Sequence, residues 1–325
     1  MKIIKKILKW TGILLLSLLL ILAITVSMRQ NLKYEAPYPE VHASKDSAVI
    51  ARGEYIFYGP GHCLYCHASK KDYPPGTDLN DMLPSGGYEF DLSIAKIYTP
   101  NITNDHETGI GKLSDGAIAR TLRYGIGSDG RALFDFMPFH NMADNDLEAI
   151  VSYLRTIPPV KNKVPENYFN IGGMIVKAFL IKPVGPDENP QKKVVPGVNV
   201  EYGKYLANSV ANCRGCHTNR DMMTGAFIGP DYAGGLRLDA PGNPNAYCVS
   251  RNLTPDKETG HIYNWSEQQF INRFRAGKLI QESEMPWEAF KQFSEDDLKA
   301  IFMYLQTVKP IKNETGPSLV VTSKE

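Results

Sequence analysis

The sequence predicts an all-α chain in which two duplicated units follow an N-terminal transmembrane helix. Three observations lead there. Cys63-Leu64-Tyr65-Cys66-His67 recurs as Cys213-Arg214-Gly215-Cys216-His217. Shifting the chain by about 150 residues superposes much else on itself, the mark of an internal repeat. Residues 10–28 are nineteen in a row without a charge.

Cys-x-x-Cys-His is the attachment pattern of a c-type haem. Two cysteines on one helical turn present both sulfurs to the vinyl groups of one porphyrin and form two thioethers. The histidine that follows offers an imidazole nitrogen to the iron. A zinc site would need further Cys or His ligands at matching spacing. Four of the five cysteines already sit in the two motifs. The expected cofactors are therefore two covalent haem c groups, held by Cys63, Cys66 and His67 and by Cys213, Cys216 and His217.

The chain then reads in order. Lys2, Lys5, Lys6 and Lys9 precede the uncharged run. At about 1.5 Å per residue that run spans roughly 28 Å, close to a hydrocarbon core and longer than most signal-peptide cores. An uncleaved anchor over residues 1–33 is preferred to a removed signal. The basic flank stays in the cytoplasm and sends the rest outward, to the periplasmic side of the cytoplasmic membrane. Of 36 basic residues, six lie in residues 1–34 with no acid, leaving 30 against 35 acids, a net −5. The near-neutral total points to no nucleic-acid partner. Hydrophobic content of 43% and 22 prolines describe a globular, loop-rich protein.

The repeat places one unit at 45–160 and the other at 198–312. Gly53-Glu54-Tyr55-Ile56 falls on Gly203-Lys204-Tyr205-Leu206, and Asn101-Ile102-Thr103 on Asn252-Leu253-Thr254. A helix near 47–58, and again near 201–209, leads into each motif. A second helix starts at Ser114 and at Ser266, the latter forming a capping box with Gln269. Gly125 and Gly277 are candidate residues just past those helices. The last helix spans roughly 144–155 and 295–306, with Leu147, Ile150, Val151 and Leu154 at helical spacing. Residues 161–197 form a linker whose apolar stretch 168–181 is too short to span a membrane. It is read as a strap packed on one or both haem units, with a surface for a membrane partner as the sharper alternative. Residues 313–325 read as a flexible tail.

A haem iron held by one histidine needs a sixth ligand or an open site. Met137 lies 70 residues after His67, and Met285 lies 68 after His217. Each is followed by proline, which restricts the methionine before it to extended geometry. Met137 and Met285 are therefore the expected second ligands, with a core role as the alternative. Met303 reads as core. Met82, Met142, Met222 and Met223 have no counterpart across the repeat. His140, three residues after Met137, is the competing ligand, while His62, His106 and His261 also lack equivalents. Cys248 reads as a buried free thiol. The Asn-Ile-Thr and Asn-Leu-Thr loops read as donors to haem propionates, or else as loops held by their own turns.

The stretch Tyr98-Thr99-Pro100-Asn101-Ile102-Thr103, followed by Asp105 and Glu107-Thr108-Gly109-Ile110-Gly111, carries a family resemblance. So do Gly130-Arg131, Met137-Pro138 and the run from Leu147 to Leu154-Arg155. Over about residues 48–310 the chain resembles the multihaem cytochrome c subunits of membrane-bound alcohol, aldehyde and gluconate dehydrogenases. The resemblance implies cytochrome c-type haem domains with His67/Met137 and His217/Met285 ligation. It also implies redox partner proteins, a dehydrogenase as donor and an oxidase or quinone-linked acceptor. Those subunits usually carry three haem motifs and a secretion signal, where this chain has two motifs and the expected anchor. The function expected is electron relay, not catalysis. The alternative is a dihaem redox enzyme, a peroxidase or sulfur-compound dehydrogenase, with one open haem site and an acid–base residue above it.

Overall fold

Two helix crossings organise the chain, and a glycine sets each. In the first half, α2 (Ser47–Tyr58) crosses α5 (Asp144–Leu154) at Gly53. A Cβ there would lie 1.9 Å from the Ala149 carbonyl oxygen. In the second half, α7 (Val200–Tyr205) crosses α11 (Glu295–Leu305) at Gly203. A Cβ there would lie 1.9 Å from the Ala300 carbonyl oxygen. Only glycine permits so close an approach of two backbones. The structure is a computed structural model that describes residues 1–68, 82–187, 189–221, 225–240 and 242–322.

Local chemistry explains the helix ends. Asp46 caps α2 through Ala48 N, and Ser294 caps α11 through Asp297 N. Ser114 caps α4 (Asp115–Tyr124), which ends at Gly125 with φ +60°. Ser266 and Gln269 form the expected capping box at the start of α9 (Glu267–Arg275). After α7 the chain continues into a π-helical turn, Leu206–Val210. The two motifs are the one-turn helices α3 (Cys63–His67) and α8 (Cys213–His217). Each is entered through a non-glycine residue in the left-handed region, His62 at φ +41° and Asn212 at φ +54°.

The N-terminal helix α1 (Lys2–Arg29) is long and apolar enough to cross a membrane, and none of its residues is buried. Apolar side chains of both halves form one continuous core, with Ile56, Phe57, Leu147 and Ile150 from the first and Leu206, Phe270, Leu298 and Ile301 from the second.

The all-α expectation needs amendment, because the described residues of the helix-rich chain also form two three-stranded antiparallel sheets. One joins β1 (Glu89–Leu92), β2 (Ala95–Tyr98) and β3 (Tyr168–Phe169). The other joins β4 (Arg237–Asp239), β5 (Ala246–Val249) and β6 (Leu319–Val321). Strands of two to four residues leave too little alternation to stand out from loop. One outer strand of each, β3 and β6, comes from the linker and from the tail respectively. Within the tail at 313–325, Leu319–Val321 is an edge strand, while residues 323–325 lie outside the described residues. The linker also holds α6 (Ile171–Phe179). Met303 departs from its core expectation, being 36% exposed on α11. Met142 is fully buried and Met82 nearly so. Met222 and Met223 lie outside the described residues.

The halves meet through a buried polar network. Arg52 donates twice to Asp146, at 2.9 Å each, and once to Tyr202 at 3.1 Å. The Tyr205 hydroxyl donates to Asp146 at 2.8 Å, and the Tyr55 hydroxyl to Asp297 at 2.6 Å. Burial raises the Asp297 carboxyl above its ordinary value, against the opposing effects of the Tyr55 hydrogen bond and Arg52. Burial likewise pushes the Tyr55 and Tyr205 hydroxyls upward.

Candidate haem-binding sites

Each motif histidine is fixed by the same contact. His67 Nδ1 lies 2.9 Å from the Pro100 carbonyl, and His217 Nδ1 lies 2.9 Å from the Arg251 carbonyl. A carbonyl can only accept, so Nδ1 carries the proton. Burial pushes both imidazoles below their ordinary pKa, which keeps them neutral. A neutral ring protonated on Nδ1 has its lone pair on Nε2. That is the tautomer an iron ligand requires, with the backbone carbonyl as the orienting partner.

Paired glycines build the support behind this contact. Gly86 (φ +77°) donates its N–H to the His67 carbonyl at 2.7 Å, and Gly234 (φ +70°) does the same for His217. A Cβ on Gly86 would come within 2.5 Å of the Pro100 carbonyl carbon, and one on Gly234 within 2.5 Å of that of Arg251. These are the residues whose carbonyls hold the histidines. The next glycines, Gly87 and Gly235, donate at 2.9 Å to Thr99 and Ser250. Motif reasoning on the sequence missed both pairs. The signal was available in the repeat, where Gly86-Gly87 falls on Gly234-Gly235.

The four motif cysteines are half-buried. Burial, with a contribution from Cys66, pushes the Cys63 thiol up to about 12, and burial with Cys216 does the same for Cys213. Such thiols stay protonated at neutral pH. Among the described residues no group of three or more His, Cys, Asp or Glu could hold a metal ion without a cofactor. A c-type haem suits what is present: neutral thiols one turn apart and a histidine whose lone pair is on Nε2. Beside His217, the Arg251 Nε is buried without a hydrogen-bond partner, a donor suited to an acidic group.

Met137 and Met285 are half-buried and pack against the core, as Cys63 and Cys213 also do. Met285 N–H donates to Ser283 Oγ at 3.4 Å. Of the competing histidines, His140 has both ring nitrogens engaged, Nε2 with Asp135 at 2.8 Å and Nδ1 with the Arg123 carbonyl at 3.2 Å. His261 packs on Trp265 at 5.2 Å and has its pKa pushed down to about 4 by burial and nearby Arg251. His62 meets the Phe290 ring edge-on at 5.4 Å. Cys248 is the buried thiol expected, donating to the Glu282 carbonyl at 3.1 Å.

The Asn-x-Thr loops close on themselves. Asn101 Nδ2 donates to Thr108 Oγ1 and to the Val160 carbonyl, while its Oδ1 accepts from the Thr103 N–H and hydroxyl. Asn252 repeats all four bonds with Thr259, Ile311 and Thr254. Their amides are thus committed, which favours the self-supporting loop over propionate donation. What the loops do is tie the segment after the last helix to the segment that holds the histidine.

The two sites are neighbours. The Tyr65 hydroxyl, inside the first motif, donates to Glu284 at 3.4 Å, and Glu284 precedes Met285. Glu284 also adds to the upward shift of the Cys216 thiol, after burial.

No family model matches the chain. It is 29% identical over 245 residues to a nicotinate dehydrogenase subunit of Pseudomonas putida, covering 72% of this chain and 18% of that protein. It is 28% identical over 285 residues to the cytochrome c subunit of the quinone-type alcohol dehydrogenase of Gluconobacter oxydans, covering 82% and 56%. It is 25% identical over 286 residues to a diheme cytochrome c-type protein of Cereibacter sphaeroides, covering 84% and 90%. The chain thus spans little more than half the length of the alcohol dehydrogenase subunit. Over most of its length, at 25–28% identity, it is a homologue of the cytochrome c subunits of alcohol, fructose and gluconate dehydrogenases and of a diheme cytochrome c.

Proposed function

We propose that this chain is a dihaem cytochrome c, anchored by α1 in the cytoplasmic membrane with its N-terminus inside. On the periplasmic side it relays electrons from a dehydrogenase towards the respiratory chain. The observation that carries this reading is the repetition of one donor set: a one-turn Cys-x-x-Cys-His helix whose histidine is held through Nδ1 by a backbone carbonyl. Residues 45–160 and 198–312 are the two haem domains, joined by the linker at 161–197.

Cys63 and Cys66, and Cys213 and Cys216, form the thioethers. His67 and His217 would each offer an imidazole nitrogen to a haem iron, and Met137 and Met285 would each offer a thioether sulfur, a ligand that favours the reduced iron and raises the potential. Haem supplies one-electron redox chemistry when bound. The rest is done by the chain: the Pro100 and Arg251 carbonyls orient the imidazoles, the glycine pairs let those carbonyls approach, and the core excludes water. The enzyme alternative requires an open iron site with an acid–base residue above it, His106 or His140; of these, His140 is engaged by Asp135 and the Arg123 carbonyl.

The test is a haem count per chain by pyridine haemochrome, with the long-wavelength band of methionine-ligated ferric haem followed in Met137→Ala and Met285→Ala. Two haems per chain and partial loss of the band in each variant are expected. One haem, or a band unchanged in both variants, would overturn the assignment.

A further inference from the structure

The linker helix α6 carries apolar side chains that the fold leaves uncovered. Ile171 is 79% exposed, Met174 41% and Ile175 39%. These three recur at helical spacing and share one face. Gly173, on another face, is buried against the turn between β1 and β2, where a Cβ would lie 2.1 Å from the Ile94 carbonyl oxygen. Tyr168 and Leu180, at either end of the helix, are exposed as well. Residues 168–182 contain Lys177 and Lys182 and no acid.

What covers this face follows from where α6 is attached. Arg29 Nε donates to the Ala178 carbonyl at 2.8 Å, and Gln30 Nε2 donates to the Met174 carbonyl at 2.9 Å. The Arg29 guanidinium also lies 5.3 Å from the Phe179 ring centre. Arg29 is the first charge after Lys9. In a membrane the uncharged stretch between them fills the hydrocarbon, about 30 Å thick, and Arg29 marks the headgroup level. A helix hydrogen-bonded to Arg29 and Gln30 is fixed at that depth. An amphipathic helix with an apolar face and a lysine flank suits this boundary.

We infer that α6 is an interfacial membrane helix, its Ile171, Met174 and Ile175 face seated in the outer leaflet of the bilayer that α1 crosses. This inference rests on the reading of α1 as an anchor. The seat is tied rigidly to the first half. Phe169, in β3, stacks on Phe134 at 6.1 Å, Phe134 on Phe136 at 5.7 Å, and Phe136 packs on Phe90 at 4.6 Å. Phe136 immediately precedes Met137. The membrane contact therefore holds the Met137 side of the first half next to the lipid surface, in place of a tether that lets it swing.

The test uses the full chain with Cys248→Ala, reconstituted in phosphatidylcholine vesicles containing phosphatidylglycerol. Single cysteines at Ile171, Ile175, Leu18 and Lys257 carry a nitroxide, and collisions with oxygen and with a water-soluble nickel chelate are compared. Oxygen collisions are expected to dominate at Ile171→Cys and Ile175→Cys, as at Leu18→Cys inside α1. The chelate is expected to dominate at Lys257→Cys, an exposed position in the second half. If Ile171→Cys and Ile175→Cys match Lys257→Cys while Leu18→Cys stays lipid-like, the seat is wrong and the anchor stands. If Leu18→Cys is also aqueous, the anchor reading falls and takes the seat with it.

Discussion

Replacing Gly53 by alanine tests the helix crossing on which the first half depends. The added Cβ would meet the Ala149 oxygen at 1.9 Å, the Ala149 carbonyl carbon at 2.5 Å and Tyr153 Cβ at 2.8 Å. Ordinary contact begins near 3.4 Å. To restore it, α2 and α5 must part by about 1.5 Å, more than the gap of about 0.5–1 Å that already forfeits a quarter to a half of the dispersion between facing atoms. The blocking atoms are backbone, so no rotamer change can relieve them. Overpacking costs about 1–3 kcal/mol and occasionally more, and alanine returns about 1 kcal/mol of helix propensity. A cost near or above the top of that range leaves a net loss of about 2 kcal/mol or more. At about 2–4 °C per kcal/mol, Tm falls by about 4–8 °C. Gly203→Ala should lose a similar amount, since its Cβ meets the Ala300 oxygen at the same 1.9 Å. Gly116, on α4, is the control, because its Cβ would meet nothing closer than the Pro39 oxygen at 3.4 Å. Gly116→Ala should be neutral or stabilising by up to about 1 kcal/mol. Thermal unfolding of the full chain in detergent, followed by far-UV circular dichroism, reads all three. An unchanged Tm for Gly53→Ala and Gly203→Ala would refute the claim that backbone meets backbone at these crossings.

Other outcomes follow from the polar groups. Asp146→Ala leaves Arg52 without its carboxylate in a largely buried network and should destabilise by about 3–5 kcal/mol, measured by urea unfolding. Asp297 has its folded pKa raised, so the unfolded chain releases its proton at lower pH than the folded one. Its contribution therefore makes stability decline as pH rises from the ordinary aspartate value of 3.8 through the raised value. Asp297→Asn should flatten that decline, and unfolding titrations across the window that keep the wild-type slope would refute it. Glu284→Gln removes a negative charge beside both sites. It should raise the midpoint potentials by tens of millivolts in a redox titration, because a nearby anion stabilises the oxidised iron. No shift at either iron would place Glu284 outside their field.

The repeat was the most legible part of the sequence, and it reached further than the motifs. It aligned Gly53 with Gly203 and Tyr55 with Tyr205, residues to which composition and periodicity assign no task. In the fold the glycines are helix crossings and the tyrosines bind across the two halves. Capping was legible too, since Ser114, Ser266 and Gln269 act through bonds no more than four residues away. What stayed hidden depended on distant partners. β3 and β6 are two or three residues long and exist because β2 and β5 offer them an edge. The amides of Asn101 and Asn252 suited propionates by type, yet they are spent on Thr108, Val160, Thr259 and Ile311. Their partners lie up to 59 residues away, where spacing carries no signal. Met303 fitted the helical apolar pattern, but its face of α11 is not covered.

The reciprocal bonds between the halves bear on how such a chain arises. Tyr55 reaches Asp297 and Tyr205 reaches Asp146, so each copy uses the same two positions to hold the other. An interface in which i meets j and j meets i is isologous, the geometry of a twofold dimer. Residues on a twofold axis face their own equivalents, and Arg52 faces Tyr202, its counterpart in the repeat. With identical subunits, an arginine there would confront a second arginine in a buried place. Joining the copies in one polypeptide lets the axis carry arginine on one side and tyrosine on the other, an asymmetry closed to a homodimer.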